Sequence, residues 1–276
     1  MKKIPQDIVG NIAILKFPKT TLWIIKKLKA RKFLKTHKHI TTVLEKTGKI
    51  SGELRIPTTK HLAGEKTYIA TYKENNCIFK FDINKSYFSP RLSNERKVIA
   101  EEVTKLAKPN SNILVMFAGI GPYPITIAKK LKQSKKQFHI YSNELNKEAN
   151  YSAKENVVLN KLDKHITLIP GDANKLSKLI TKLNKSKLQT PNSKLQTDKF
   201  DIILMPRPNL SNTFLKSALK LSKSGTTIFY HGFGTKQEVL EEIKKNTKKK
   251  IGKIKIRKAG DIGPYSFRWQ VQFKIK

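Results

Sequence analysis

From residue 94 onward the chain alternates two hydrophobic patterns. Short apolar runs, ILVMF (113–117), FHIYSNE (138–144), HITLIPGDA (165–173), FDIILM (200–205) and TTIFYHGFG (226–234), read as strands. Between them lie helix-spaced segments: ERKVIAEEVTKLA (95–107), ITIAKKLK (125–132), a stretch ending near residue 159 and several more, with two strands closing the chain. Apolar strands alternating with helices predict βαβ units and a parallel sheet covered on both faces. The fold class expected is therefore α/β. Upstream the pattern differs. Residues 8–16 (IVGNIAILK) read as a strand broken by Gly10, and 20–35 as a basic helix with Leu22, Ile25, Leu28 and Leu34 at near-helical spacing. ITTVLEK (40–46), GELRIP (52–57), KTYIATYK (66–73) and CIFKFDI (77–83) read as short strands. This predicts a small α+β domain over 1–86 and a larger α/β domain over 87–276. SKLQT occurs twice, at 186–190 and 193–197, too short a repeat for a solenoid. It is read as a flexible surface insertion over 185–198, with no function assigned.

Charge adds a partner class to this architecture. The 276 residues carry 57 Lys+Arg against 20 Asp+Glu, a formal net charge of +37, and only seven of the basic residues are Arg. Such an excess points to a polyanion, nucleic acid first; the competing explanation is a general lysine bias, since the lysines are scattered. A single cysteine, Cys77, excludes an internal disulfide and an all-cysteine zinc site, and no metal site is expected. No run approaches the roughly 18 apolar residues of a membrane span, and the N-terminus lacks the apolar core of a signal peptide. The expectation is a soluble cytoplasmic protein, monomeric, with no membrane or disulfide partner.

Candidate chemistry clusters where strands hand over to helices. Phe117-Ala118-Gly119-Ile120-Gly121-Pro122 follows the first α/β strand. Two glycines at i and i+2 permit a tight turn and close backbone approach to a ligand. A third glycine is missing and Pro122 and Pro124 follow, which argues against a pyrophosphate. The next strand ends in Asn143-Glu144, followed by Leu145, and the third in Gly171-Asp172-Ala173. A carboxylate there accepts hydrogen bonds from ribose hydroxyls, and ligands of open α/β sheets bind at the carboxyl ends of strands. Together these describe an adenosine-type ligand without phosphates, such as S-adenosylmethionine.

YFSPRLSNER (87–96), FAGIGPYPI (117–125), NELN…ENVVLNKL (143–162), GDA (171–173), M-x-R-P…FL-x-x-AL (205–219) and YHGFG (230–234) resemble the archaeal and eukaryotic tRNA guanine-37 N1-methyltransferases. That family also contains the wybutosine-pathway aminocarboxypropyltransferases. DIVGNIAIL, KTGKISGELR, HLAGE and FKFDINKSYFSPR resemble the same family's middle domain, so the likeness spans essentially the whole chain. The extra N-terminal domain that many members use on the outer corner of tRNA has no counterpart. The resemblance implies a Rossmann-like class I methyltransferase domain behind the small α+β domain, S-adenosylmethionine as cofactor, and the tRNA anticodon loop as partner.

Methylating N1 of guanine requires removal of its proton and stabilisation of charge at O6. By resemblance, Glu95 is the base, Arg91 and Arg96 flank it, and Arg55 contacts the guanine edge; from the residues alone, Glu95 reads as a helix-N-terminal carboxylate. Arg96, Phe117, Ala118, Gly119, Gly121, Pro122, Glu144, Leu145, Asp172, Ala173 and Met205 are the candidate cofactor residues. Arg207, Pro208 and Asn209 are the candidate substrate residues. Arg55, Arg91, Arg96 and Arg207 all fall inside site motifs, and a guanidinium fork suits phosphate or a guanine edge better than an ammonium. Two departures stand out. The family's Asn-Leu-Pro is replaced by Pro206-Arg207-Pro208, with Asn209, Asn212 or Arg207 as stand-ins, and the acidic residue before FAG is replaced by Val115. Three activities follow in order: methyl transfer to N1 of guanine 37, aminocarboxypropyl transfer to a wyosine precursor, and tRNA binding without catalysis. Tyr87, Phe88, Tyr265 and Trp269 are candidates for stacking on an extruded base.

Overall fold

The computed structural model describes residues 5–48, 54, 56–185, 198–247, 250–263 and 265–276. Half of GELRIP, including Arg55, and the SKLQT repeats lie outside these residues. The chain forms two compact units, Met1–Ser93 and Asn94–Lys276.

The first unit carries β1 (Gln6–Val9), β2 (Ile12–Leu15), α1 (Trp23–Thr36), β3 (Thr42–Lys46) and β4 (Thr59–Gly64). These strands form one sheet in the order β1-β2-β3-β4, with β2 and β3 parallel and the outer pairs antiparallel. Residues 8–16 are thus a hairpin rather than one interrupted strand. The cause is Gly10, whose φ of +58° reverses the chain. α1 lays Ala30 on this sheet, against Ala13, Leu15, Val43 and Leu62. The strand β4 escaped the sequence reading because TKHLAG lacks β-branched alternation. A hairpin of β5 (Ile69–Glu74) and β6 (Cys77–Asp82) follows. Phe88 packs its ring 5.0 Å from both Tyr72 and Phe81, so its role is core packing. That contact carries the first unit past residue 86.

The second unit follows the predicted alternation: α2 (Ser93–Leu106), β7 (Ser111–Val115), α3 (Pro122–Gln133), β8 (Phe138–Glu144), α4 (Lys147–Leu159), β9 (Ile166–Pro170) and α5 (Leu176–Lys185). Then come β10 (Phe200–Met205), α6 (Leu215–Lys220), β11 (Ser222–Gly234), α7 (Lys236–Asn246), β12 (Lys255–Gly263) and β13 (Ser266–Lys274). The seven-stranded order is β12-β13-β11-β10-β7-β8-β9. The sheet is mixed rather than all parallel. β9 through β11 are parallel, but β13 runs antiparallel to β11 and β12 antiparallel to β13. The last two strands are joined by a short turn, which obliges them to pair antiparallel. β7 is the reversal point: the chain moves outward to β8 and β9, then crosses back to β10 and β11. Ile113, Leu114 and Val115 of β7 are fully buried, as expected of a central strand covered on both faces.

The turn at Gly10 is tightly enclosed. A Cβ there would lie 1.9 Å from the Thr71 carbonyl oxygen, while Asn11 Oδ1 accepts the Thr71 N–H at 2.8 Å. Gly10→Ala is therefore expected to destabilise the first unit by more than about 1 kcal/mol, read as a lower urea midpoint, because the side chain meets both a positive φ and a backbone clash.

Candidate active site

Ligand crevices of open α/β sheets lie beyond the carboxyl ends of the strands where the order reverses, and here that point is β7/β10. After β7 the backbone turns through Phe117 (φ 55°), Gly119 (φ 57°) and Gly121 (φ 90°) before α3 starts with Pro122 in its first turn. Three residues of positive φ aim N–H groups outward from the strand. Ala118 N–H donates to the Asn143 carbonyl at 2.9 Å, and Gly119 N–H to Glu144 Oε2 at 2.7 Å. Glu144 Oε1 accepts the Asn146 N–H at 2.8 Å. Burial pushes the Glu144 carboxyl above its ordinary range, against the pull of these N–H groups. Asn143 ties the third strand end in, its Nδ2 donating to Ile169 and Gly171 carbonyls at 2.8 Å each. Asp172 caps the next turn by accepting the Asn174 N–H at 2.8 Å. A carboxylate offers about four acceptor sites, so Glu144 keeps capacity for a ribose hydroxyl beside these backbone donors. Leu145 beside it is 40% exposed, an apolar surface for a base. Phe117 stacks edge-on with Phe214 at 4.8 Å, bringing the loop after β10 to this crevice. Met205 differs from expectation. Its side chain is fully buried in the core cluster.

A second cluster forms at α2. Glu95, in its first turn, is 5% exposed. Arg257 Nη1 donates to its Oε2 at 2.6 Å and Nη2 to its Oε1 at 3.0 Å, while His231 Nε2 lies 3.1 Å from Oε1. Burial alone would raise the Glu95 carboxyl; the His231 and Arg257 contacts outweigh it and hold the group below its ordinary value. Burial lowers His231, so the ring is neutral and donates its Nε2–H. The strand register explains the convergence. His231 of β11 and Arg257 of β12 both pair with Gln270 of β13, forming one cross-strand row on the face that α2 covers. Of the expected flanking arginines, Arg91 is engaged elsewhere. Arg91 pairs at 2.6 Å with Asp7 of its own unit, and Arg96 is buried with 1% exposure. Sequence reasoning missed His231, although it lies in YHGFG, and Arg257, which belongs to no motif.

Arg207 also departs from the reading as a substrate residue. It is 3% exposed and spans Glu242 with Nη2 at 2.9 and 3.2 Å, donates Nη1 to the Leu210 carbonyl at 2.9 Å, and lies over the Tyr230 ring at 5.1 Å. The same Glu242 accepts the Tyr230 hydroxyl. The guanidinium is therefore an internal prop for the loop after β10. Pro208 is half-buried and Asn209 exposed. The side chain of Asn212 accepts the Phe214 N–H at 2.9 Å and donates to Asn174 at 3.3 Å, so it too is committed to the loop. Trp269 Nε1 donates to the Gly234 carbonyl at 3.0 Å, whereas Tyr265 is 90% exposed. Among the described residues no cluster of metal-ligating side chains occurs, and no helix is long and apolar enough to cross a membrane.

This strand order, with carboxylates at successive strand ends and no pyrophosphate loop, defines a class I S-adenosylmethionine-dependent methyltransferase fold. Residues 70–257 match the TRM5/TYW2 methyltransferase domain and residues 4–67 the TYW2 N-terminal domain, so the chain belongs to the TRM5/TYW2 family. It is 33% identical over 308 aligned positions to the tRNA (guanine(37)-N(1))/4-demethylwyosine(37)-methyltransferase Taw22 of Nanoarchaeum equitans, covering 98% of this chain and 99% of that one. Among solved structures, the complex of aTrm5 with tRNALeu has a TM-score of 0.79 at 26% identity, covering 99% of this chain and 72% of that one. Methanocaldococcus jannaschii Trm5 in complex with adenosine has a TM-score of 0.76 at 25% identity, covering 99% and 74%.

Glu242→Leu leaves the Arg207 guanidinium buried and uncompensated. It is expected to cost about 3 kcal/mol of stability in urea unfolding, whereas the paired change Arg207→Met with Glu242→Leu recovers much of that loss.

Proposed function

We propose that this chain is a tRNA (guanine-37 N1)-methyltransferase that uses S-adenosylmethionine, acting as a cytoplasmic monomer on the anticodon loop. The observation that carries the reading is the buried, ionised Glu95 in the same unit as a nucleoside crevice. A proton acceptor in the unit that carries the methyl-donor crevice is what a ring nitrogen bearing a proton demands. Family membership, the tRNA complex of aTrm5 and the activity of the Nanoarchaeum relative support it.

Glu144 would hold the cofactor ribose, Leu145 and Phe117 the adenine surface, and the Ala118–Gly121 turn the close backbone approach. When bound, S-adenosylmethionine supplies an electrophilic methyl group on a sulfonium. Glu95 takes the N1 proton of guanine. Arg55 is proposed to donate to O6, where negative charge collects as N1 is deprotonated. Arg91, exposed on the first unit, is assigned to the RNA instead of to Glu95. Pro208 and Asn209 line the loop beside the extruded base. The many lysines supply grip on phosphates without reading sequence. The likeness to a relative that also methylates 4-demethylwyosine, along almost its entire length, favours that tricyclic base as a second substrate.

The test is mass spectrometry of nucleosides from tRNA incubated with protein and S-adenosylmethionine. One added methyl on guanosine 37 is expected. An aminocarboxypropyl adduct on a wyosine-type base would assign the chain to the other branch of the family, and no adduct would leave it a tRNA-binding protein. The same assay on tRNA carrying 4-demethylwyosine decides the second substrate. Glu95→Gln should slow single-turnover methylation roughly a hundredfold or more. Glu144→Ala should weaken S-adenosylmethionine binding in calorimetry roughly tenfold or more, since charge-assisted hydrogen bonds are lost. Binding of tRNA should weaken steeply with salt, and a salt-independent affinity would contradict the phosphate-grip role of the lysines.

A further inference from the structure

Glu95 and Glu102 lie two turns apart on α2, on the same face, yet their surroundings act on them oppositely. Burial prevails at Glu102, whose carboxyl is raised. Glu95 is buried more deeply, and its carboxyl is lowered. The difference lies in the β11–β13–β12 row: Arg257 forks both oxygens of Glu95, but its Nε stands 3.8 Å from Glu102. We propose that Arg257 and His231 are positioning residues for the proton-accepting step, holding the Glu95 carboxylate in place through the Arg257 fork and the His231 contact. This deepens, and rests on, the reading of Glu95 as the base.

Lone-pair accounting also selects the atom. A carboxylate offers about two acceptor sites on each oxygen. Oε1 already accepts from both His231 and Arg257, while Oε2 accepts only the Arg257 Nη1 donor among the described residues. The open site for the guanine proton is therefore on Oε2. In the step, the N1–H bond breaks as Oε2–H forms. The pair left on N1 makes the N1–CH3 bond, and the methyl–sulfur pair departs with the sulfur. Gln270, at the centre of the row, is 2% exposed, its Nε2 without a hydrogen-bond partner among the described residues, as is the buried Tyr123 hydroxyl, whose ring lies edge-on to His231 at 6.0 Å. The charged and titratable groups around the Glu95–His231–Arg257 cluster are Glu102 and Arg96 of α2, Tyr123 of α3, and Arg268 of β13; of these only Glu102 gains charge in the accessible range, because burial pushes the Tyr123 hydroxyl well above its ordinary value.

The sign follows. The base works ionised, so the rate is lost as pH falls through the Glu95 pKa. Removing Arg257 leaves burial in control and moves that loss to higher pH. In single-turnover methylation, Arg257→Met should shift the acid limb up by about one pH unit or more, with a larger defect at pH 6 than at pH 8. His231→Gln should shift it less, and Arg257→Lys, which keeps the charge, should retain most of the low limb. Equal loss at every pH in Arg257→Met would overturn the proposal by making Arg257 structural only. A titration independent of catalysis uses carbon-13 at glutamate Cδ, with the Glu95 resonance assigned by its absence in Glu95→Gln. Its midpoint should rise in Arg257→Met, and an unmoved midpoint overturns the inference even if the wild type methylates tRNA. A moved midpoint in a protein that transfers no methyl would instead fault the functional reading.

Discussion

A carboxylate taken out of water stays charged only where the chain brings donors to it, and in the second unit that requirement reaches across 162 residues of sequence, from Glu95 to Arg257. Burial on α2 makes ionised Glu95 costly. The compensation comes from a row that exists only because β12 and β13 add to the sheet antiparallel beyond β11, placing His231 and Arg257 either side of Gln270. The terminal hairpin is therefore part of the site and not an appendage to a nucleotide-binding sheet. Glu102, on the same helix but beyond the fork of Arg257, marks what burial does without that support.

The cofactor crevice depends on a different constraint, the reversal of strand order at β7. It gathers the ends of β7, β8 and β9 at one edge, where backbone N–H groups find few strand partners. Glu144 satisfies two of them, and Asn143 closes the neighbouring carbonyls. The crevice is thus organised by hydrogen bonds between loops, and positive φ at Phe117, Gly119 and Gly121 aims those groups.

The arginines redraw the electrostatic picture. Scattered lysines account for most of the +37 charge and suit a phosphate backbone. Three of the arginines are told apart by geometry. Arg207 props a loop through Glu242, Arg91 pairs with Asp7, and Arg257 clamps Glu95. A motif containing an arginine marks a place in the chain; what the guanidinium touches depends on which carboxylate the fold delivers to it.

The alternation of apolar runs and helix-spaced segments was enough to read the second unit strand by strand, because buried parallel strands must be apolar along their length. Local carboxylates at strand ends, Glu144 and Asp172, were legible for the same reason: strand and loop are contiguous in the chain. The hairpin at Gly10 and the strand Thr59–Gly64 were not, since a turn needs only one residue of positive φ and a short strand little patterning. Resemblance alone pointed to Glu95. Its partners, the internal roles of Arg207 and Met205, and the antiparallel edge of the sheet were decided by tertiary structure. Sequence determines periodicity and local turn chemistry, which act over a few residues; charge pairing across a sheet depends on register, and register is set only when the strands meet.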